Sequence, residues 1–306
     1  MKNSAINYNM KKTIPTLLIA VSCNCLSSEA ANSRNITTIQ GGGNSSITFR
    51  DWSDWSKAWK SAEYKNPYKK IAIYKTKQSD NVTSQQKRED IAISTTQQKL
   101  SPSGRYILIN RSQFGALYLE DGSTKTTEVT HCDVIDMKNG CLILTRPAEY
   151  CSGTWSDEKW IPTSSDYQAI DAPTLETPSP AKIIKQIKNI GTPTDKAESV
   201  IDYMYMGTDS YLSCYPPTTN NVRELNDIAF FLAEGGDNYN ALNIYRALEK
   251  VSPSRIVLKL NIADALWETN KHPEAKKYYS EYKEKMEHSG FSRKIPTRVT
   301  ERLKKP

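Results

Sequence analysis

The sequence predicts an α+β protein: a small antiparallel β domain with one packed helix, followed by α-helical hairpin repeats. Three observations carry this expectation. The stretch Cys132–Leu144 sets two apolar, β-rich runs around Lys138-Asn139-Gly140, a hairpin-turn signal. Asp171–Pro180 holds three prolines, and beyond it the hydrophobic period becomes helical. Residues 222–289 then repeat with a 34-residue period.

The elements can be taken in chain order. Met1–Ala30 has the build of a signal peptide. Lys11 and Lys12 form a basic start, and Ile14–Leu26 is mostly apolar but too short to span a bilayer. Ser28-Glu29-Ala30 offers small residues for cleavage after Ala30. Met10 is an equally good start. The run Ile19–Cys23 resembles a bacterial lipobox but has Ala20 where Leu is usual. Cleavage after Ala30 leaves Cys132, Cys141, Cys151 and Cys214, the even number that a disulfide framework needs. A soluble exported form is therefore expected over a lipid anchor at Cys23, in the periplasm or outside a bacterial cell. Sequons at Asn35, Asn44, Asn81 and Asn110 matter only in a eukaryotic secretory pathway.

Residues 31–50 are polar and contain Gly41-Gly42-Gly43, which reads as a flexible lead-in. Residues 51–170 form the expected β-rich domain. Within it Trp52, Trp55 and Trp59 fall at i, i+3 and i+7, one stripe of a helix. Ile71–Tyr74 is a strand candidate, residues 76–90 a loop, and Arg105–Asn110 and Ala116–Leu119 two strands broken by Gly and Ser.

In an oxidising compartment the cysteines read as staples. Eight and nine residues separate Cys132, Cys141 and Cys151, unlike the close pairs of a zinc site, and C-x-x-C is absent. The hairpin turn puts Met137 or Lys138 opposite Cys141, and Cys132 opposite Arg146 or Pro147. Cys132 and Cys141 then lie too far apart along the ladder to bond. This pairs Cys132 with Cys151 and leaves Cys141 for Cys214, tying the β region to the helical half.

Residues 171–180 read as a linker. Ala181–Gly191 and Asp195–Gly207 predict two helices, and Cys214–Asn221 breaks the pattern. In the repeat, Ile228, Ala229 and Leu232 recur as Ile262, Ala263 and Leu266, and Ala241 and Tyr245 recur as Ala275 and Tyr279. Pro253 closes the first unit. These residues resemble the tetratricopeptide repeat (TPR) family, in which each unit is a helix-turn-helix. The usual first-helix Trp position holds Leu225 and then Lys259. The resemblance implies stacked hairpins over residues 222–289, capped by the helices of 181–206 and by the chain from Pro296. It also implies a protein or peptide partner on the first-helix face. There it places Asn226, Phe230, Leu260, Asp264 and Trp267, a set that favours an apolar or aromatic anchor over a terminal carboxylate.

Composition narrows the function classes. The formal net charge is +7, with acidic and basic residues mixed along the chain, unlike the basic, aromatic-rich face of a nucleic-acid binder. Only Arg293, Lys294, Arg298, Arg302, Lys304 and Lys305 against Glu301 make a lopsided stretch, which reads as a solvated tail. No later segment is apolar enough for a transmembrane helix. The chain has three histidines and lacks G-x-S-x-G, H-E-x-x-H and a P-loop. The best acid/base candidates, Asp133 and Asp136 beside His131, are three apart on one strand and face opposite ways. No catalytic residue, metal ligand or cofactor is therefore expected. The sequence points to an exported, non-enzymatic protein-binding module. Its alternative is a cell-envelope polysaccharide binder using the Trp52/Trp55/Trp59 stripe, with a hydrolase ranked below that.

Overall fold

The computed structural model describes residues 36–74, 91–169 and 174–305. The expected signal peptide with Cys23 and Cys25, the loop at 76–90 and the sequons at Asn35 and Asn81 lie outside the described residues. The architecture is α+β, with an antiparallel sheet of eight strands in the first half and eight α-helices in the second, among the described residues.

The sheet runs β1 (Thr37–Gln40), β2 (Ser46–Ser53), β3 (Ala58–Lys65), β5 (Ile91–Ser94), β6 (Tyr106–Tyr118), β7 (Thr124–Asp136) and β8 (Cys141–Pro147). β4 (Lys70–Ile73) also pairs with β3. A separate hairpin joins β9 (Gly153–Ser156) to β10 (Lys159–Pro162). The expected lead-in is thus structured from Thr37 onward. Gly41–Gly43 turns between the first two strands, and the Gly42 amide donates to the Gly104 carbonyl at 2.8 Å. A Cβ on Gly104 would lie 2.4 Å from the Gly42 nitrogen, so the contact requires glycine.

The tryptophan stripe is not helical. Trp52 and Trp59 are register partners across β2 and β3, with ring centroids 5.0 Å apart, and Trp55 lies in the connecting turn. Two causes favour the hairpin. Ile47 and Phe49 on one strand, and Ala62 and Tyr64 opposite them, alternate into the core. Asp51 and Lys57 take left-handed φ angles of 60° and 51°, which a helix forbids.

Two short strands were expected over 105–119, but β6 is one continuous 13-residue strand through Ser112 and Gly115. It pairs with β7 over its whole length. Past Gln113, where β5 ends, the two strands continue as an exposed ribbon. At the β7–β8 turn, Asp136 faces Cys141, one residue from the expected register. A bulge between Val134 and Ile135 absorbs the difference, so Cys132 still faces Arg146. Gly140 turns at φ 74°, and a Cβ there would meet the Tyr64 ring at 2.7 Å. The structure joins Cys132 to Cys151 and Cys141 to Cys214.

Alternation gives the central strands two faces. Ile107, Ile109, Arg111, Asp133 and Ile135 face one way, into a core with Ile47, Phe49, Tyr64 and Ile93 that also takes Met206 from the second half. Tyr106, Leu108, Cys132 and Val134 face the other way, under Trp160, Tyr150 and Cys151.

The helices are α1 (Pro180–Ile187), α2 (Pro193–Tyr203), α3 (Thr208–Cys214), α4 (Val222–Glu234), α5 (Asn238–Val251), α6 (Ile256–Glu268), α7 (His272–His288) and α8 (Thr297–Lys304). Ser179 and Thr192 cap the first two through their side-chain oxygens, each followed by proline at the first helical position. α4 and α6 begin 34 residues apart, as do α5 and α7. The recurring residues Ile228, Ala229, Leu232, Ala241 and Tyr245, with Ile262, Ala263, Leu266, Ala275 and Tyr279, are all buried in one core. Each large aliphatic among them contributes about 1.5–3 kcal/mol by leaving water.

The proline-rich segment is not a free linker where it is described. The backbone amides of Glu176 and Thr177 donate to the Ile143 carbonyl on edge strand β8, and Glu176 pairs with Arg146 at 2.6 Å. Edge-strand groups that could template another strand are thereby occupied. α3 locks the two halves further. Ser210 donates to the Gly140 carbonyl at 2.9 Å, Lys69 donates to Ser213 Oγ at 2.6 Å, and Cys214 carries the disulfide to Cys141. No helix among the described residues is long and apolar enough to cross a membrane.

Candidate functional site

The residues expected on the first-helix face have different fates. Asn226 is buried and accepts a hydrogen bond from Asn261 at 3.1 Å, so it joins α4 to α6. Leu260 packs partly buried against the helical core. Asp264 accepts from Arg298 Nη2 at 2.8 Å, Arg302 Nη1 at 3.0 Å and the Tyr279 hydroxyl at 2.6 Å. Trp267 stacks on His272 at 4.2 Å, with Arg302 and Lys305 over its ring at 5.2 and 5.6 Å. Phe230 alone of the five is an exposed large aromatic, at 42%.

These contacts bear on two expectations. Asp264 and Trp267 are occupied by the chain's own C-terminal helix. That helix is not a solvated tail, since Val299 is buried and Arg298 and Arg302 form ion pairs with Asp264 and Glu268. The signal was there in the sequence. Arg298 and Arg302 are four apart on one helical face, with Val299 and Leu303 repeating beside them. Lys259, at the position where the resemblance leads one to expect Trp, is buried between Glu249 at 2.9 Å and Glu281 at 2.7 Å. Burial works against its charge, but these two carboxylates outweigh it and raise the pKa.

A second constellation was missed. Asp133 is fully buried at the join between the sheet and the helical half. Its carboxylate accepts from Arg111 Nε at 2.7 Å, the Tyr74 hydroxyl at 2.8 Å, Thr145 Oγ1 at 2.8 Å and the Tyr205 hydroxyl at 3.0 Å. The Arg111 guanidinium lies 3.9 Å from the Tyr205 ring centroid, which closes the site from the helical side. Burial and then the Asp133 charge hold the Tyr74 and Tyr205 hydroxyls well above their ordinary range. Burial opposes the Arg111 charge, yet Asp133 raises its pKa. His131, the register partner of Arg111, is lowered by burial and then by that guanidinium.

With Asp133 at 0% and Arg111 at 2% exposure, no substrate reaches this carboxylate. The cluster ties the sheet to Tyr205 of the helical half. Asp136, the other acid/base candidate, points away and pairs with exposed Arg105 at 3.2 Å. The clue for the cluster was an Arg and an Asp on the apolar face of two neighbouring strands, among Ile107, Ile109 and Ile135.

Of the Trp52/Trp55/Trp59 set, only Trp55 is largely exposed, at 66%, and it makes an edge contact with Phe114 at 5.0 Å. Among the described residues, no group of three or more His, Cys, Asp or Glu is placed to hold a metal ion. No protein-family model matches the chain, and no curated protein matches it.

Proposed function

We propose that this protein is an exported, disulfide-stabilised module that binds another protein through the first-helix face of its helical half, with Phe230 as the anchor. The carrying observation is the exposure of Phe230 on α4, within two helical hairpins of identical spacing. Large aromatics on a rigid helical face are the side chains that most often dominate an interface. The arrangement resembles stacked TPR units, with α8 acting as the terminal cap that such stacks need. Capture of Asp264 and Trp267 by α8 narrows the face to its first repeat. Two disulfides and the absence of a membrane-crossing helix among the described residues fit an exported protein, and the periplasm is the compartment we favour. An immunity or inhibitor role against a secreted toxin, or a part in envelope assembly, is a special case of this reading.

The test is capture of the partner by the exported protein and by Phe230→Ala. Loss of one discrete partner with the melting temperature unchanged supports the proposal. Unchanged capture by Phe230→Ala removes it.

A further inference from the structure

On the sheet face opposite the Asp133 cluster lies a cavity of about 300 Å³. It opens where the cover of Trp160 and Cys151 ends. Along β6 the face residues run from Tyr106 and Leu108, which are buried, to Asn110 and Ser112, which border the cavity. The hollow exists because Ala58 on β3 and Ala92 on β5 are small, and each is almost fully buried in its lining.

One wall is aromatic. The Trp55 indole stands over the cavity, braced by the edge of Phe114. Its turn is held by the Ser56 amide donating to Ser53 Oγ at 3.2 Å and by the Lys57–Asp54 pair at 3.7 Å. The rest of the lining is polar; Ser112 and Glu128 are engaged by Thr130, and other groups are left over. Ser56 Oγ is buried without a hydrogen-bond partner among the described residues, and Asn110 and Ser94 add an amide and a hydroxyl. The Asn110 amide and the Ser94 hydroxyl are the groups a ligand hydroxyl in the cavity would meet. Lys57 and Glu128, of opposite sign, complete the rim, so the site carries no net charge to select an ion.

We infer that this cavity is a carbohydrate subsite that takes one neutral pyranose ring. A pyranose presents an apolar C–H face and a girdle of hydroxyls. The Trp55 plane matches the first, and the Asn110 and Ser94 groups match the second. The volume sits at the lower bound of small-ligand sites, room for one ring rather than a chain. The site is separate from the Phe230 face, so either can hold without the other.

The experiment is titration of the full exported protein with maltotetraose, cellotetraose and chitotetraose, read by tryptophan fluorescence and by saturation-transfer NMR. The expected result is binding of at least one of these, with protons of a single ring in closest contact. Trp55→Ala should weaken it by about tenfold or more. Ala92→Leu, which fills the hollow, should abolish it, and Asn110→Leu should weaken it if the filled variant does not fold. Phe230→Ala should leave it unchanged. Absence of binding by all three at millimolar concentration overturns the inference. So does binding that survives both Trp55→Ala and Asn110→Leu in folded protein.

Discussion

The two faces of strands β5 to β7 treat polar side chains in opposite ways. On one face, Asp133 receives four side-chain donors and is sealed by Tyr205 from the helical half. On the other, Asn110, Ser94 and Ser56 surround an open cavity beneath an exposed tryptophan. The Asp133 carboxylate is fully engaged, although Arg111 Nη1 beside it has no partner among the described residues, and the sealed groups fix structure. The second is open, and the carbohydrate subsite proposed above rests on that opening. Polarity alone did not distinguish them, and access does: Asp133 and Arg111 are sealed, whereas Trp55 stands exposed over an open cavity.

The comparison breaks most sharply at Asp133. Asp133→Ala leaves Arg111 charged and buried without its partner, and should destabilise the protein by about 3–5 kcal/mol in denaturant unfolding. The double change Arg111→Met with Asp133→Leu removes both charges and should recover much of that loss. If the double variant is as unstable as the single one, the cost lies in the shape of the site and not in the stranded charge. A second break concerns the disulfides. Cys141–Cys214 spans 73 residues and Cys132–Cys151 spans 19. Loop-closure entropy predicts that removing the longer staple costs about 1 kcal/mol more than removing the shorter, measured on Cys→Ser pairs.

The sealed face also has a pH signature. Tyr74 and Tyr205 are held above the ordinary tyrosine pKa of 10.0, so the folded state retains protons that the unfolded chain releases. Their contribution is complete below that value and is lost as pH rises through and above it. Unfolding should ease progressively above about pH 10, and the phenolate absorbance of these two rings should appear with unfolding and not before. The smallest effect belongs to the open face, where Trp55→Ala should change stability by less than about 0.5 kcal/mol. A large loss there would show that Trp55 is part of the packing.

What the sequence revealed follows the same division between local and distant causes. The α+β class and the hairpin at Asn139-Gly140 rest on turn chemistry and local periodicity, and both stand in the structure. So does the pairing of helices 34 residues apart. The Trp stripe misled because i, i+3 and i+7 also suits a hairpin in which Trp52 meets Trp59 across two strands. The Asp133 cluster gathers Tyr74, Arg111, Thr145 and Tyr205 from four separate segments, so no short window displays it. The C-terminal basic run looked solvated because its partners, Asp264 and Glu268, lie a repeat away.

The central claim is that the Phe230 face receives a protein. The most direct test is a photo-crosslinking residue placed at position 230, with a second at exposed Lys277 on α7 as the control. Irradiation of the exported protein in its own compartment should give one discrete protein adduct from position 230 and none from position 277. Equal labelling at both positions, or no adduct at 230, would contradict the account.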